Sequence, residues 1–348
     1  MNKREPGLDL LRCIAFLFVV TFHFFLYNGY YHQPQVGFFM WLAGSFRWLS
    51  VSCIGLFVML TGYLKSEKTD IKSCYRGLIP VLWGYFIAAV ISIPVRHLVF
   101  HDVQDFTTWC GRLLRFSGVY YGWYVEMYLG LALLIPFVNL ALSHLQSTKS
   151  LLCFASVMLF LTALPGITPL LIFPDYWRIT YPLTYYILGA IVRRVQPKIN
   201  PWLGIAGALG VCAILGFATV LSTDGILSEA LVWEFPDLWI VCIVLCLFVA
   251  LYRVKIPSFI SRLLAFGAGG CYGGYLLSHL LDTWCYRLIS DWRTPEKYGY
   301  LFLCITIPIF LISILLGVPL EKMAKWVSVQ GMRLWKRFAK KRSEYSGS

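Results

Sequence analysis

The sequence predicts an all-α fold, a polytopic membrane bundle of about ten transmembrane helices, and three observations carry that prediction. The 348 residues are 59% hydrophobic and 14% charged, with a mean hydropathy of +0.69, far from the composition of a soluble domain. Apolar runs such as LLCFASVMLFLTALPGI and LFLCITIPIFLISILLGV are about long enough to cross a hydrocarbon core of roughly 30 Å as helix. The period-2 alternation of a membrane β-barrel is missing.

Taken in order, the apolar segments place spans at roughly 8–28, 40–64, 78–95, 119–140, 151–172, 180–193, 202–221, 237–252, 263–284 and 300–318. Lys3 and Arg4 precede the first, as in a secretory leader, but the run is full length, has no small-residue cleavage site, and is expected to be retained. Cationic loops are held on the cytoplasmic side. KSEKTDIKSCYRG, RRVQPK and YRVKIPSFISR fall on one side with both ends of the chain, so both termini are predicted cytoplasmic. The alternate connections hold most acids: Asp102, Asp105, Asp175, Asp224, Glu229, Glu234, Asp237, Asp291 and Glu296.

This asymmetry accounts for the net charge of +13 and the pI of 9.2, so no nucleic-acid partner is called for. Residues 1–320 are read as one transmembrane domain. Residues 321–348, with Trp and Phe among the cations of KWVSVQGMRLWKRFAKKR, are read as a basic amphipathic cytoplasmic tail against anionic membrane lipids. The eleven cysteines lie mostly inside spans as small packing residues; Cys110 and Cys285 fall near the outer surface, where a disulfide is the alternative.

The first span, GLDLLRCIAFLFVVTFHFF, keeps Asp9, Arg12 and His23 in a membrane-grade run. Eleven positions separate Arg12 from His23, about three helical turns and roughly 16 Å of rise, so both share one face. Asp9 is one turn before Arg12 and within reach of an ion pair. A central Arg costs roughly 2.5–3.5 kcal/mol on insertion scales, part of which Arg12 recovers by reaching the interface. His23 has no such escape. A polar cavity inside the bundle, where a near-neutral imidazole suits proton abstraction, explains it; a structural histidine bonded to a neighbouring helix is the alternative.

An Arg, ten residues and a His in the first membrane helix resembles the acyltransferase 3 family, integral membrane O-acyltransferases that modify bacterial surface glycans. Four further stretches are similar to that family in the expected order. GLFVMLTGYLKS ends the second span with Thr61 where Ser is usual; Gly62 permits close helix approach, and packing is the simpler role. KSCYRGLIP keeps Arg76 four before Pro80, with Lys72 one turn earlier, either as donor-phosphate ligands or as the ordinary positive-inside signal. WYVEMYLGLALLIP carries Trp123, Glu126, Gly130 and Pro136. Glu126 either pairs with Arg or His or reaches outward at the interface. FGAGGCYGGYLLSHLL places Tyr275 and His279 on one face, with His279 at a depth matching His23. Its glycines admit another helix or a thin ligand chain.

The resemblance implies transfer of an acyl group, acetyl in the nearest branch, from cytosolic acyl-CoA (acetyl-CoA) to a hydroxyl of a carbohydrate or glycolipid acceptor in the cell membrane. It implies a donor held by Arg12, Lys72 and Arg76, His23 as general base, and His279 or Tyr275 orienting the hydroxyl or stabilising the oxyanion. Glu126 would fix an imidazole tautomer. Arg47, Trp123 and Arg178 would face the acceptor. No zinc spacing, P-loop or GxSxG elbow occurs, so no metal is expected. The rivals are a glycan or lipid transporter or flippase, whose interrupted helices come in both halves whereas the Gly-rich interruption here occurs only in the late helix, and a membrane sensing module.

Overall fold

The computed structural model describes residues 4–164, 174–222, 235–288 and 295–345, and for 175, 222, 295–302 and 334–345 the backbone alone. Asp224, Glu229, Glu234 and Asp291, assigned above to outer connections, lie outside the described residues, as do Lys3 and the end of the fifth expected span; the side chains of Asp175 and Glu296 are likewise outside.

Fourteen α-helices account for the described secondary structure, apart from short 3-10 turns, and no strand occurs among the described residues. They are α1 (Pro6–Tyr27), α2 (Gly37–Val51), α3 (Cys53–Lys65), α4 (Ile71–Arg76), α5 (Ile79–Leu98), α6 (Phe106–Leu114) and α7 (Trp123–His144). The rest are α8 (Thr148–Thr162), α9 (Tyr181–Val195), α10 (Pro201–Ser222), α11 (Leu238–Leu251), α12 (Ser258–Ala268), α13 (Cys271–Leu288) and α14 (Pro295–Tyr345).

Six helical stretches among the described residues are long and apolar enough to cross a membrane: 6–32, 37–65, 71–98, 123–144, 201–221 and 303–333. The other expected spans correspond to the shorter α8, α9 and α11 and to the pair α12 and α13. Two of the expected spans are broken. Between α2 and α3 the break falls at Ser52, where Ser50 and Ser52 donate their hydroxyls to the carbonyls of Arg47 and Leu49, both at 2.7 Å, local bonds that compete with the helical ladder. Its halves then serve different neighbours, α10 for α2 and α9 for α3. The span expected at 263–284 turns at Gly269 and Gly270. The last span continues without a break past residue 321.

α1 is the central post. Pro6 sits at its first turn, where a missing N–H costs nothing, and Asn28 closes it by donating its side-chain amide to the Phe24 carbonyl at 2.9 Å. Helices α2, α3, α12, α13 and α14 all pack on it. Backbone contact sets the seam between α13 and α14. A Cβ on Gly273 would sit 2.6 Å from the Gly317 carbonyl oxygen, and one on Gly274 would sit 2.7 Å from that of Ser313. The glycine-rich stretch thus admits α14. Gly62 plays the same part against the Tyr186 backbone of α9.

The basic connections gather at one end. Arg193 of α9 reaches Glu5 at 3.8 Å and Glu67 at 3.3 Å. Asn139 of α7 donates to the carbonyls of Lys65 and Lys68 at 2.8 and 2.7 Å, and Tyr252 to that of Pro197 at 2.6 Å. At the opposite end, Arg96 of α5 is buried, bonded through Nε to Asp102 at 3.1 Å and stacked against Trp109 and Tyr120. This latch fastens α6. Desolvation pushes the Asp102 carboxyl up, but hydrogen bonds from Gln104 and Arg96 and the charges of Arg96 and Arg112 outweigh it and hold it below the usual range. All eleven cysteines are free, Cys110 and Cys285 included, so the disulfide alternative falls.

Candidate active site

The regular turn of α1 puts Arg12 and His23 on one face, and both line a cavity of ≈ 570 Å³, within the usual range for a small-molecule site. Arg4, Arg12, Glu321 and Lys325 line it at the basic end. Arg4 is tied to Asp9 at 2.6 Å, Arg12 lies 3.7 Å from the same carboxylate, and Lys325 lies 3.5 Å from Glu321. The walls are apolar and aromatic, including Phe57, Leu60, Tyr124 and Tyr272, and His23, Tyr27 and Trp123 line the far reach.

Around His23 the side chains are almost fully enclosed. Tyr121, in the turn before α7, stacks its ring on the imidazole with centroids 3.9 Å apart. Its hydroxyl donates to Oδ2 of Asp282 at 2.6 Å, and the same oxygen lies 3.8 Å from His23 Nδ1. That separation suits an ion pair with a protonated imidazole, though it is long for a hydrogen bond. His279 is also buried, and its Nδ1 lies 3.1 Å from the Leu276 carbonyl. Only a protonated Nδ1 can donate to that oxygen, so Nε2 is left as the basic nitrogen. Together with Asp282, Thr283 and Arg287, His279 lines a second cavity of ≈ 490 Å³.

The expected residues therefore divide. Arg12, His23, Tyr275 and Trp123 line the first cavity and His279 the second. Tyr275 donates its only hydroxyl proton to the Tyr121 carbonyl at 2.6 Å, which removes it as an oxyanion donor and makes it a prop for Tyr121. Glu126 is exposed and lines neither cavity; the carboxylate beside the imidazole is Asp282. Lys72 and Arg76 are exposed on α4, outside both cavities, because α4 turns away along α7. The cations at the mouth besides Arg12 are Arg4 and Lys325. Arg47, buried against Tyr31 and Trp48, and Arg178, bonded to Asp237 at 2.9 Å, line neither cavity.

Asp282 escaped the sequence reading, although its signal was there. It follows His279 by three positions in an apolar run, hence on the same face, and an acid so placed asks for an inward partner. A family model described as an acyltransferase domain, Acyl_transf_3, matches residues 5–320. The chain belongs to the acyltransferase 3 family. No curated protein and no solved structure matches it at the threshold applied. Membership makes the protein a membrane O-acyltransferase, an enzyme that moves acyl groups. Among the described residues, no group of His, Cys, Asp or Glu side chains has the arrangement of a metal site.

Proposed function

We propose that this acyltransferase takes its acyl group, most simply acetyl, from an acyl-CoA that enters at the basic end, facing the cytosol, and passes it to a hydroxyl of a surface carbohydrate or lipid-linked glycan. In this reading the shorter helices complete a bundle of about ten spans in a bacterial cytoplasmic membrane, with both termini inside. The observation that carries it is the cavity shared by Arg12 and His23. Phosphates of a donor would meet Arg4, Arg12 and Lys325 at the mouth, where cations are the natural partners, and a thin acyl-bearing arm fits the apolar walls beyond.

The chemistry follows from the two nitrogens of His23. Nδ1 faces Asp282, so Nε2 is the nitrogen that takes the proton from the acceptor hydroxyl. As that proton leaves, the oxygen bonds the acyl carbon, the carbon–sulfur bond breaks, and the imidazolium returns the proton to the departing thiolate. Asp282 stabilises the imidazolium while it lasts, the role a buried carboxylate plays beside a catalytic histidine. His279, which lines the adjoining cavity, helps to orient the acceptor.

Purified protein in nanodiscs with radiolabelled acetyl-CoA tests the reading. Labelled acceptor from cell-envelope extract, or release of labelled acetate, is expected, and His23→Ala should abolish it with the melting temperature kept. A protein that ignores acetyl-CoA while moving a glycan across the bilayer would be a transporter, and the reading would fail.

A further inference from the structure

Tyr121 stands in the turn before α7, outside any helix, yet α13 grips it from both ends. Tyr275 donates its hydroxyl to the Tyr121 carbonyl at 2.6 Å, and the Tyr121 hydroxyl donates to Asp282 Oδ2 at 2.6 Å. Tyr275 and Asp282 are seven positions apart, about two helical turns, and so share one face of α13. Between the two bonds the tyrosine ring lies on the His23 imidazole, with centroids 3.9 Å apart. Tyr121 thus spans from α13 to α1 as a strut.

The strut sets a particular gap. His23 Nδ1 makes no hydrogen bond among the described residues and lies 3.8 Å from Oδ2, the same oxygen that Tyr121 holds. A phenol bonded to a carboxylate at 2.6 Å belongs to the short, charge-assisted class, so this bond fixes the oxygen more firmly than its looser approach to the imidazole does. Asp282 is aimed at Nδ1 without bonding it. Such a pair gains most when the imidazole becomes charged, since the two groups are then opposite ions in a buried setting. Interactions that strengthen only as a reaction proceeds act on kcat rather than on KM.

Resting on the acyl-transfer reading above, we propose that Tyr121 is a positioning residue for the transfer step: its hydroxyl holds the Asp282 carboxylate facing His23, and its ring fixes the plane of the imidazole. Tyr121 exchanges no proton with the substrates. It sets where the two members of the pair stand, and a displacement of about 1 Å at such a pair costs up to roughly 10²-fold in rate.

The test is steady-state acetyl-CoA turnover by protein in nanodiscs, followed as acyl transferred to cell-envelope extract or acetate released. Tyr121→Phe keeps the ring and removes only the bond to Asp282. It should lower kcat about ten-fold or more, with the KM for acetyl-CoA within about two-fold of wild type and the melting temperature kept. The same substitution in an Asp282→Asn protein should cost less than about two-fold further, because the charge that it positions is already gone. Where Asp282→Asn turns over too slowly to compare, the kcat–KM split alone decides. Tyr275→Phe, which frees the Tyr121 carbonyl, should lower kcat by a smaller factor in the same way, and it decides the matter if Tyr121→Phe does not fold. Wild-type turnover with kcat unchanged in the folded variants, or with equal losses in both backgrounds, would overturn the positioning role and leave acyl transfer standing. A wild type that neither binds nor consumes acetyl-CoA would overturn acyl transfer, and the positioning role with it.

Discussion

His23 and Asp282 sit on different helices, 3.8 Å apart, joined through a tyrosine that touches both. In the proposed mechanism that contact is electrostatic support for a transient imidazolium. Asp282→Asn, nearly isosteric, is expected to lower kcat by about 10²–10⁴-fold with little change in the KM for acyl-CoA, measured by steady-state acetyl transfer. An equal loss in kcat/KM from a raised KM alone would instead make Asp282 a packing residue. Glu126→Gln should leave both parameters unchanged. At this scale the sequence was half readable. The spacing of Arg12 and His23 within one helix gave their shared face, because a regular helix converts sequence distance into direction. The meeting of His23 with Tyr121 and Asp282 depends on how three separated segments dock, which no spacing encodes.

Among the elements, the seam of α13 on α14 and the latch of α6 on α5 each make a definite demand on the sequence. Gly317→Val should force the two backbones apart at a cost of about 1–3 kcal/mol, seen as a lower melting temperature in detergent together with weakened activity, since His279 and Asp282 ride on α13. Asp102→Asn leaves the buried Arg96 guanidinium short of its charged partner, a loss of about 1.5–3 kcal/mol. The pH dependence of that latch has a fixed sign. Because the folded Asp102 pKa lies below its unfolded value of about 3.9, the stabilisation is present above that value and is lost only as pH falls through the folded pKa. Protection of the α6 amides from hydrogen exchange should therefore stay level between roughly pH 5 and 8. Most helices were legible as apolar runs. The Gly-rich stretch also marked an interruption of the late helix, which falls at Gly269–Gly270, but the break at Ser52 was not legible, since Ser is common inside membrane helices and only the change of packing partner shows that it interrupts.

Across the whole molecule, charge and cavity agree in direction. The basic connections tie together around the mouth where Arg4, Arg12 and Lys325 stand. Positive-inside patterning showed the end of the bundle but not which of its cations face the cavity: Lys72 and Arg76 carried the family likeness, yet they lie on α4's exposed surface. The paired variant Arg12→Gln with Lys325→Gln is expected to raise the KM for acetyl-CoA about ten-fold or more, with the penalty shrinking at high salt as screening grows. Lys72→Gln with Arg76→Gln should change it less than two-fold, about the scatter expected of exposed charges. Titration of the donor by isothermal calorimetry distinguishes the two pairs.

The unbroken course of α14 has a mechanical meaning. From Pro295 to Tyr345 it is one helix, weakened at the interior prolines Pro308 and Pro319, and it is clamped at Gly317 to the helix that carries His279 and Asp282. Just past that clamp, Glu321 accepts from the Tyr272 and Gly273 amides at 3.1 and 3.4 Å. In the proposed mechanism, a sideways load on the basic end of this helix would bend it at Pro319, beside the clamp, and so bear on the seat of Asp282 opposite the imidazole on α1.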